Sequence, residues 1–422
     1  MPLADARGSE LSHTTKRKSR RVNKTGDSMW TGRGKTAIVG VGYSELTRNS
    51  TKPLGVLALD ACRAAIAEAG VRPEQVDGLA TYPDAPFLGA GSRDGQDIVS
   101  VVYIINHLPL APDIRWYAQI ETGMIASPVI EAVHALLAGA CNYVLIWRAL
   151  HQPHGRYGAW SSTRATGEAQ FMAPYGCTSI FQWHAMAWRR YMHRYSATRE
   201  HLATLVVNSR RNANLNPRAF FYTTPMTRED YLSARWIAEP LCLFDCDIPV
   251  EGCVALVVTT AERARDLRNP PAYVAGYGQN TSRRRTLFHY ALDDYMACGG
   301  SLASKLWLSS GLGPRDMDAA ELYDGFSPST LYWLEAAGFC PQGEAHAFTQ
   351  DGRIALEGEL PVNTFGGSLS EGRLHGMGHI AEAVFQVTGR AGQRQIPDAA
   401  AVCAIDGSPM LRGSGVVITK EQ

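Results

Sequence analysis

The sequence predicts an α/β protein built from two similar halves. Three observations carry this. Short β-rich runs alternate with helix-patterned segments, one aromatic and basic stretch interrupts the alternation, and the order of elements then repeats. With 422 residues, 45% of them hydrophobic, the chain has room for two or three domains and material for a large core.

The first half opens with TAIVGVG at 36 to 42, a β-rich run ending in glycines. Its VGVG lacks the spacing of a G-x-G-x-x-G fingerprint, so a dinucleotide site is set aside. LGVLALDACRAAIAEAG at 54 to 70 has helical apolar spacing and a terminal glycine. DGLATYP at 77 to 83 predicts a strand, PVIEAVHALLAGA at 128 to 140 a helix, and NYVLIW at 142 to 147 a buried strand. Strands alternating with helices predict a mostly parallel sheet. Residues of about 150 to 240 change character, with Trp160, Trp183, Trp188 and Trp236, many tyrosines and the basic NSRRNANLNPRAFF, which predicts an inserted loop domain with helices. EGCVALVVTTAERARDL at 251 to 267 resumes the core pattern.

Beyond RNPP at 268 to 271 the order repeats. AYVAGYGQ at 272 to 279 echoes TAIVGVGY, AAAVCAIDG at 399 to 407 echoes ACNYVLI, and GSGVVIT at 413 to 419 echoes CVALVVT. LYDGFSPSTLYWLEAAGF at 322 to 339 supplies a strand end and a helix. The expected halves are 35–268, carrying the insert, and 269–422. Residues 1–34 form a basic arm, with KRKSRR and nine basic residues against Asp5, Glu10 and Asp27 through residue 35. The arm is read as disordered, or as an extension upstream of a chain beginning at Met29.

Charge and cysteines exclude several classes. Lys plus Arg number 41 against 40 Asp plus Glu, a net charge of +1, so no global field recruits nucleic acid or an anionic membrane. No apolar run reaches transmembrane length. Nine cysteines with no paired C-x-x-C spacing read as reduced thiols in a cytoplasm.

The longest motif is NTFGGSLSEGRLHGMGH at 363 to 379, permissive backbone interleaved with ionisable side chains. Together with IPVEGCVALVVTTAERA at 248 to 264, LYDGFSPST and the Cys403 strand, it resembles the thiolase superfamily. Among its members, the chain is most similar to the sterol-carrier-protein-x and lipid-transfer-protein type, which includes the steroid side-chain aldolases. The resemblance runs from about Lys35 to the C-terminus. It implies a five-layer α/β/α/β/α sandwich, a homodimer, and chemistry on a coenzyme A thioester substrate with no covalently bound cofactor. It also implies a separately encoded partner, a small OB-fold protein bearing a zinc ribbon.

Departures from the family pattern direct the functional reading. The loop where thiolases carry their nucleophilic cysteine reads QIETGMIASP at 119 to 128, without cysteine. Ser127 before Pro128 reads as an N-cap, and the amides from Gly123 to Ser127 as a site for an anion. At the N-E-A-F position stand Tyr323, Asp324, Gly325 and Phe326, where the resembling aldolases have a tyrosine acting as acid or base. Asp324 either orients that loop or accepts a proton. At the position of the family G-H-P histidine stands Arg373, two residues before His375. Arginine cannot be a base but can stabilise an enolate, leaving Tyr323 or His375 to move the proton. Asn363, Gly366 and Gly367 are expected to bring amides to the thioester oxygen.

His375 and His379 could share a helix face but lack a metal motif, so no metal is expected. Cys403 is either an acid/base cysteine or a core thiol. Arg210, Arg211 and Arg218 are candidates for the CoA phosphates, and the tryptophans suggest a large apolar acyl group. The expected reaction is retro-aldol cleavage of a bulky 3-hydroxyacyl-CoA. The alternatives are an acyltransferase with a displaced nucleophile such as Cys403, and a non-catalytic acyl-CoA or lipid-binding subunit.

Overall fold

The structure, a computed structural model, describes residues 30–82, 99–120, 124–151, 170–282 and 294–422. Most of the basic arm, Trp160 and Gly123 lie outside the described residues. The strands are β1 (Thr36–Tyr43), β2 (Gly78–Thr81), β3 (Trp116–Gln119), β4 (Tyr143–Leu150), β5 (Trp236–Ala238), β6 (Leu241–Cys242), β7 (Gly252–Thr260), β8 (Ala272–Thr281), β9 (Ala319–Leu322), β10 (Ala401–Ser408) and β11 (Arg412–Thr419). The main sheet has the order β3-β2-β4-β7-β1-β8-β11-β10-β9.

That order explains the sequence echoes. Reading outward from the β1/β8 seam, β7 matches β11, β4 matches β10 and β2 matches β9, so each echoed pair takes equivalent places on either side. The seam itself is short, with Ala37 opposite Tyr273 and Ile38 opposite Ala272. The expected mostly parallel sheet is corrected to a mixed one. The β2/β3, β2/β4 and β9/β10 pairs are parallel, while β4/β7, β1/β7, β1/β8, β8/β11 and β10/β11 are antiparallel. The residues between β10 and β11 are too few for a helical crossover, and a short turn permits only the antiparallel sense.

The helices are α1 (Leu54–Ala69), α2 (Val101–His107), α3 (Ala126–Leu137), α4 (Ile180–Tyr195), α5 (Arg199–Ala213), α6 (Arg228–Ser233), α7 (Ala261–Ala264), α8 (Asp294–Ser310), α9 (Ser327–Ala336), α10 (Ala345–Phe348), α11 (Gly367–Ser370) and α12 (Met377–Val387). Alternate residues of each strand face different layers. Val254, Leu256 and Val258 of β7, with Val402 and Ala404 of β10, enter one core with α3 and α12. Cys253, Ala255 and Val257 face the other way, against α1. Cys403 and Ile405 pack in the core that holds α8 and α9. The layers are therefore α1, first half-sheet, α3 with α12, second half-sheet, and α8 with α9: a five-layer sandwich. A one-residue slip in β7 or β10 would exchange the contents of two cores, so register is strongly specified.

The paired glycines of the echo share one cause. A Cβ on Gly40 or Gly42 would strike the backbone of α1 at Ala65 and Ala61, and one on Gly276 or Gly278 would strike α8 at Ser310 and Leu302. The VGVG run is thus where a helix backbone lies directly on a strand.

Candidate active site

Tyr323 leaves the end of β9, where β9 pairs in parallel with β10 and Tyr323 N donates to Ile405 O at 2.9 Å. The outlet of parallel strands is where α/β proteins gather functional side chains. Asn363 fixes this exit. Its Oδ1 accepts from Leu322 N at 2.7 Å and its Nδ2 donates to Leu322 O at 2.8 Å, so it completes the ladder beside Tyr323 rather than facing substrate.

Asp324 is fully buried and its carboxylate is saturated. It accepts from Ser368 N (2.7 Å) and Leu369 N (3.3 Å) at the start of α11, and contacts His379 Nε2 at 3.1 Å. The geometry thereby assigns it the orienting role. Gly367, at φ 62, lies so close that a Cβ there would collide with the Asp324 carboxylate. The amide of Gly366 is not presented to a ligand oxygen as expected, because Gly366 N bonds Asn363 O, and the amides of Ser368 and Leu369 beyond Gly367 bond Asp324.

The following loop holds Arg373 and His375. Arg373 N donates to Ile248 O at 2.8 Å, and its Nε lies 3.9 Å from Asp247 Oδ2. His375 sits outside α12 at φ 52, a left-handed conformation that a β-carbon disfavours by roughly 1–2 kcal/mol. It therefore shares no helix face with His379, which lies within α12. Arg148 holds it: Nη2 meets His375 Nδ1 at 2.9 Å. A guanidinium only donates, so Nδ1 carries no proton and Nε2 carries it. Burial, then Arg148, Arg373 and Arg412, push its pKa well below the ordinary histidine value. His375 is corrected from a proton mover to a neutral donor set among three arginines. Tyr82 closes this corner, its ring edge-on to His375 with centroids 6.2 Å apart, and Arg148 lies over its face at 5.7 Å.

Burial raises the Tyr323 phenol well above its ordinary value, Asp247 and Asp324 adding to the effect and Arg373 opposing it. Tyr323 thus rests protonated. Asp247 is a group the sequence reading missed. It is 4% exposed, and burial pushes its carboxyl up to about 8 against the pull of Arg373. The available signal was a second acid in the FDCDIPVEG run just ahead of a buried strand.

Asp406 was also missed, although an acid ending the apolar run AAAVCAID marks it. It accepts from Ala126 N at 2.7 Å and from Ser414 Oγ at 2.6 Å. The expectation of Ser127 as N-cap is corrected accordingly. Helix α3 begins at Ala126, Ser127 lies in its first turn with Oγ accepting from Gln279 at 2.6 Å, and Asp406 supplies an anion to the helix start.

Other candidates fall elsewhere. Cys403 is fully buried on the outer face of β10, opposite in parity to Asp406, and burial raises its pKa. Arg210 is buried, stacked 3.6 Å from the Phe221 ring centroid and bonded to Thr224 O at 3.1 Å, so it is not offered to CoA phosphates. Arg218 lies over Tyr43 and Phe385, while Arg211 makes an exposed ion pair with Glu357 at 2.7 Å. Trp183 and Trp188 are buried, Trp188 within the core beside α9, and Trp236 carries Arg199 at 4.1 Å, so they build the insert. Among the described residues, no group of three or more His, Cys, Asp or Glu is placed to hold a metal.

A five-layer sandwich whose catalytic-side loops flank two central helix starts is a thiolase fold. Residues 298–421 match the family model described as thiolase C-terminal domain-like. The chain is 37% identical over 368 residues to a steroid side-chain-cleaving aldolase of Thermomonospora curvata, covering 84% of this chain and 91% of the relative. It is 36% identical to the 17-hydroxy-3-oxo-4-pregnene-20-carboxyl-CoA lyase of Mycobacterium tuberculosis, covering 84% and 92%. A solved structure described as an Ltp2-ChsH2(DUF35) aldolase superposes with TM-score 0.81 at 36% identity, covering 92% of this chain and 98% of that one. The protein belongs to the thiolase-like family, alongside these aldolases.

Proposed function

We propose that the protein is a carbon–carbon lyase that cleaves a bulky, steroid-sized 3-hydroxyacyl-CoA by a retro-aldol step. The carrying observation is the pairing of two features: no thiol stands at the start of α3, where Asp406 sits instead, while Arg373 and Arg148 gather about His375 before α12, with Tyr323 beside Arg373. The names of the relatives support the substrate class. In this reading the 3-hydroxyl loses its proton, C3 becomes a carbonyl, and the C2–C3 electron pair forms a thioester enolate. Arg373, Arg148 and the Nε2–H of His375 stabilise that anion in a buried setting, where charge stabilisation is worth most. Tyr323, resting protonated, donates the proton that quenches C2.

Eight of the nine cysteines are buried, and burial raises the pKa of Cys403, which disfavours the acyltransferase alternative. A separately encoded partner subunit, here taken as the OB-fold zinc-ribbon type, draws its support from the solved Ltp2-ChsH2(DUF35) aldolase, whose name carries two components. A homodimer is supported by β3, an outer strand of the sheet with Tyr117 66% exposed. Among the described residues no helix is long and apolar enough to cross a membrane.

The test is turnover of matched 3-hydroxyacyl-CoA and 3-ketoacyl-CoA panels, with and without a DUF35 partner, following release of the short acyl-CoA. Hydroxyacyl cleavage without free CoA supports the lyase. Ketoacyl cleavage that requires free CoA supports the acyltransferase, and tight binding without turnover supports the lipid-binding subunit.

A further inference from the structure

We propose that Glu321 is held in the fold as a neutral acid and serves as a positioning residue, joining β9, the 363–367 loop and α12 so that Tyr323 is aimed at the substrate. The aiming of Tyr323 rests on the lyase reading, whereas the proton on Glu321 stands apart from it.

A count of hydrogens carries the first part. The buried Thr364 Oγ1 lies 2.7 Å from Glu321 Oε1 and 2.9 Å from Glu382 Oε1, and it accepts from Gln386 Nε2 at 3.1 Å. A hydroxyl has one hydrogen to give, and a carboxylate has none. Two ionised carboxylates on one hydroxyl would leave a pair of oxygens facing each other with no hydrogen between them, so one acid brings its own proton. Arg394 decides which. It donates to Glu382 twice, from Nε to Oε1 at 3.1 Å and from Nη2 to Oε2 at 2.8 Å, the forked geometry of a guanidinium on a carboxylate. Glu321 has no such cation. Its Oε1 also faces the Thr364 amide at 3.3 Å, and its Oε2 is buried with no donor among the described residues. Glu321 therefore donates to Thr364 Oγ1, which gives its own hydrogen to Glu382.

The charged and titratable neighbours agree with that count. Glu382 faces Glu321 from α12 and Arg394 from the turn at 392–394, while Glu371 and Tyr43 lie on the far side of Glu382. Cys403 is felt from β10. Arg394, the cation felt by Glu321, is already bound to Glu382, and burial together with the Glu382 charge pushes the Glu321 carboxyl well above its ordinary value.

The link to the site runs through Thr364. Leu322 separates Glu321 from Tyr323, and Asn363, next to Thr364, bonds both the N–H and the C=O of Leu322. Asn363 N also donates to Ala320 O at 3.2 Å, and Ala320 bridges Val362. The Thr364 hydroxyl is thus where the clamp that sets the exit of Tyr323 meets α12. Ionised, Glu321 would set a second buried negative charge against Glu382 and lose its bond to Thr364, displacing Asn363 and with it Tyr323.

The experiment has two arms. In the first, wild type and Glu321→Gln are unfolded by denaturant from roughly pH 5.5 to 8, where an unfolded carboxyl is ionised. With one proton kept on Glu321 in the fold, wild-type stability falls as pH rises, its unfolding constant growing about tenfold per pH unit relative to that of Glu321→Gln. Infrared difference spectra of the folded proteins are expected to show the carbonyl stretch of a protonated carboxyl that Glu321→Gln lacks. A flat ratio of unfolding constants, or difference spectra without that band, overturns the proposal.

The second arm reads kcat and KM with the DUF35 partner on a steroid 3-hydroxyacyl-CoA. Glu321→Ala is expected to lose on the order of 10²-fold in kcat with KM little changed, as for a reacting group displaced by about 1 Å. Glu321→Gln, whose amide replaces the hydrogen bond of the neutral acid, recovers most of that loss. Should Glu321→Ala fail to fold in thermal melting, Thr364→Val takes its place. A folded variant of either kind with wild-type kcat overturns the positioning role and leaves the lyase standing. A wild type silent on the substrate overturns the lyase reading and the aiming of Tyr323 together, while the first arm still decides the proton.

Discussion

The starts of the two helices in the middle layer are built in opposite ways. At α3, Asp406 reaches across from β10 to accept from Ala126 N, so the positive end of the helix already has its anion. At α12 the chain arrives through His375 and Gly376 in left-handed conformations, and the polar side chains of the preceding loop turn to Arg148 and Asp247. A Cβ on Gly376 would lie 2.7 Å from Asp406 Cβ and from Ile125 Cγ2, so the two starts touch. The difference teaches that equivalent positions of a duplicated fold need not share chemistry. One start is closed by a structural carboxylate, and the other carries the groups to which the proposed reaction assigns its charge stabilisation.

The sharpest way to break this contrast is Tyr323→Phe, which removes the phenol that the proposed reaction uses as proton donor. Turnover of 3-hydroxyacyl-CoA is expected to fall by about 10²–10⁴-fold. CoA-ester affinity, read by calorimetry, should stay near wild type, and a comparable loss of affinity would instead make Tyr323 a binding group. A smaller effect follows from Gly367→Ala. The new methyl meets the Asp324 carboxylate at a positive φ, and the sum of strain and overpacking is expected to destabilise by about 2–4 kcal/mol in denaturant unfolding. A change below about 1 kcal/mol would mean that the Asp324 contact yields easily.

The mildest change is Asp406→Asn at the closed start. Burial raises the folded carboxyl to about 7, above its ordinary value, despite bonds from Ser414 and Ala126. The folded state therefore binds an extra proton between roughly pH 4 and 7, and stability from this group is lost as pH rises through 7. The melting temperature of Asp406→Asn relative to wild type should rise between pH 5 and pH 8. A constant difference would show that Asp406 does not titrate with folding.

Much of the fold could be read from one-dimensional patterns because its causes are local. The glycine pairs of β1 and β8, the glycine after α1 in a left-handed conformation at φ 69, and the apolar alternation of β7 each reflect a neighbour within one layer. Tyr323 and Arg373 were legible for the same reason, since each lies in a motif of contiguous residues. Asp247 was not, because its meaning comes from Arg373, 126 positions away, and from a backbone run that stitches three loops.

By itself, then, the sequence determined the strand and helix order, the duplication, and the absence of a cysteine in the α3 loop. Residue type and short-range period carry that information. The tertiary structure alone decided the sense of each strand pair, the face on which Cys403 and Asp406 lie, and the fate of the arginines. Period two says that residues 403 and 406 point oppositely, yet which side is the cleft depends on where α3 packs. Arg210 and Arg148 are equally cationic in the sequence. Burial against Phe221 turns the first away from a ligand, and the bond to His375 places the second in the candidate site.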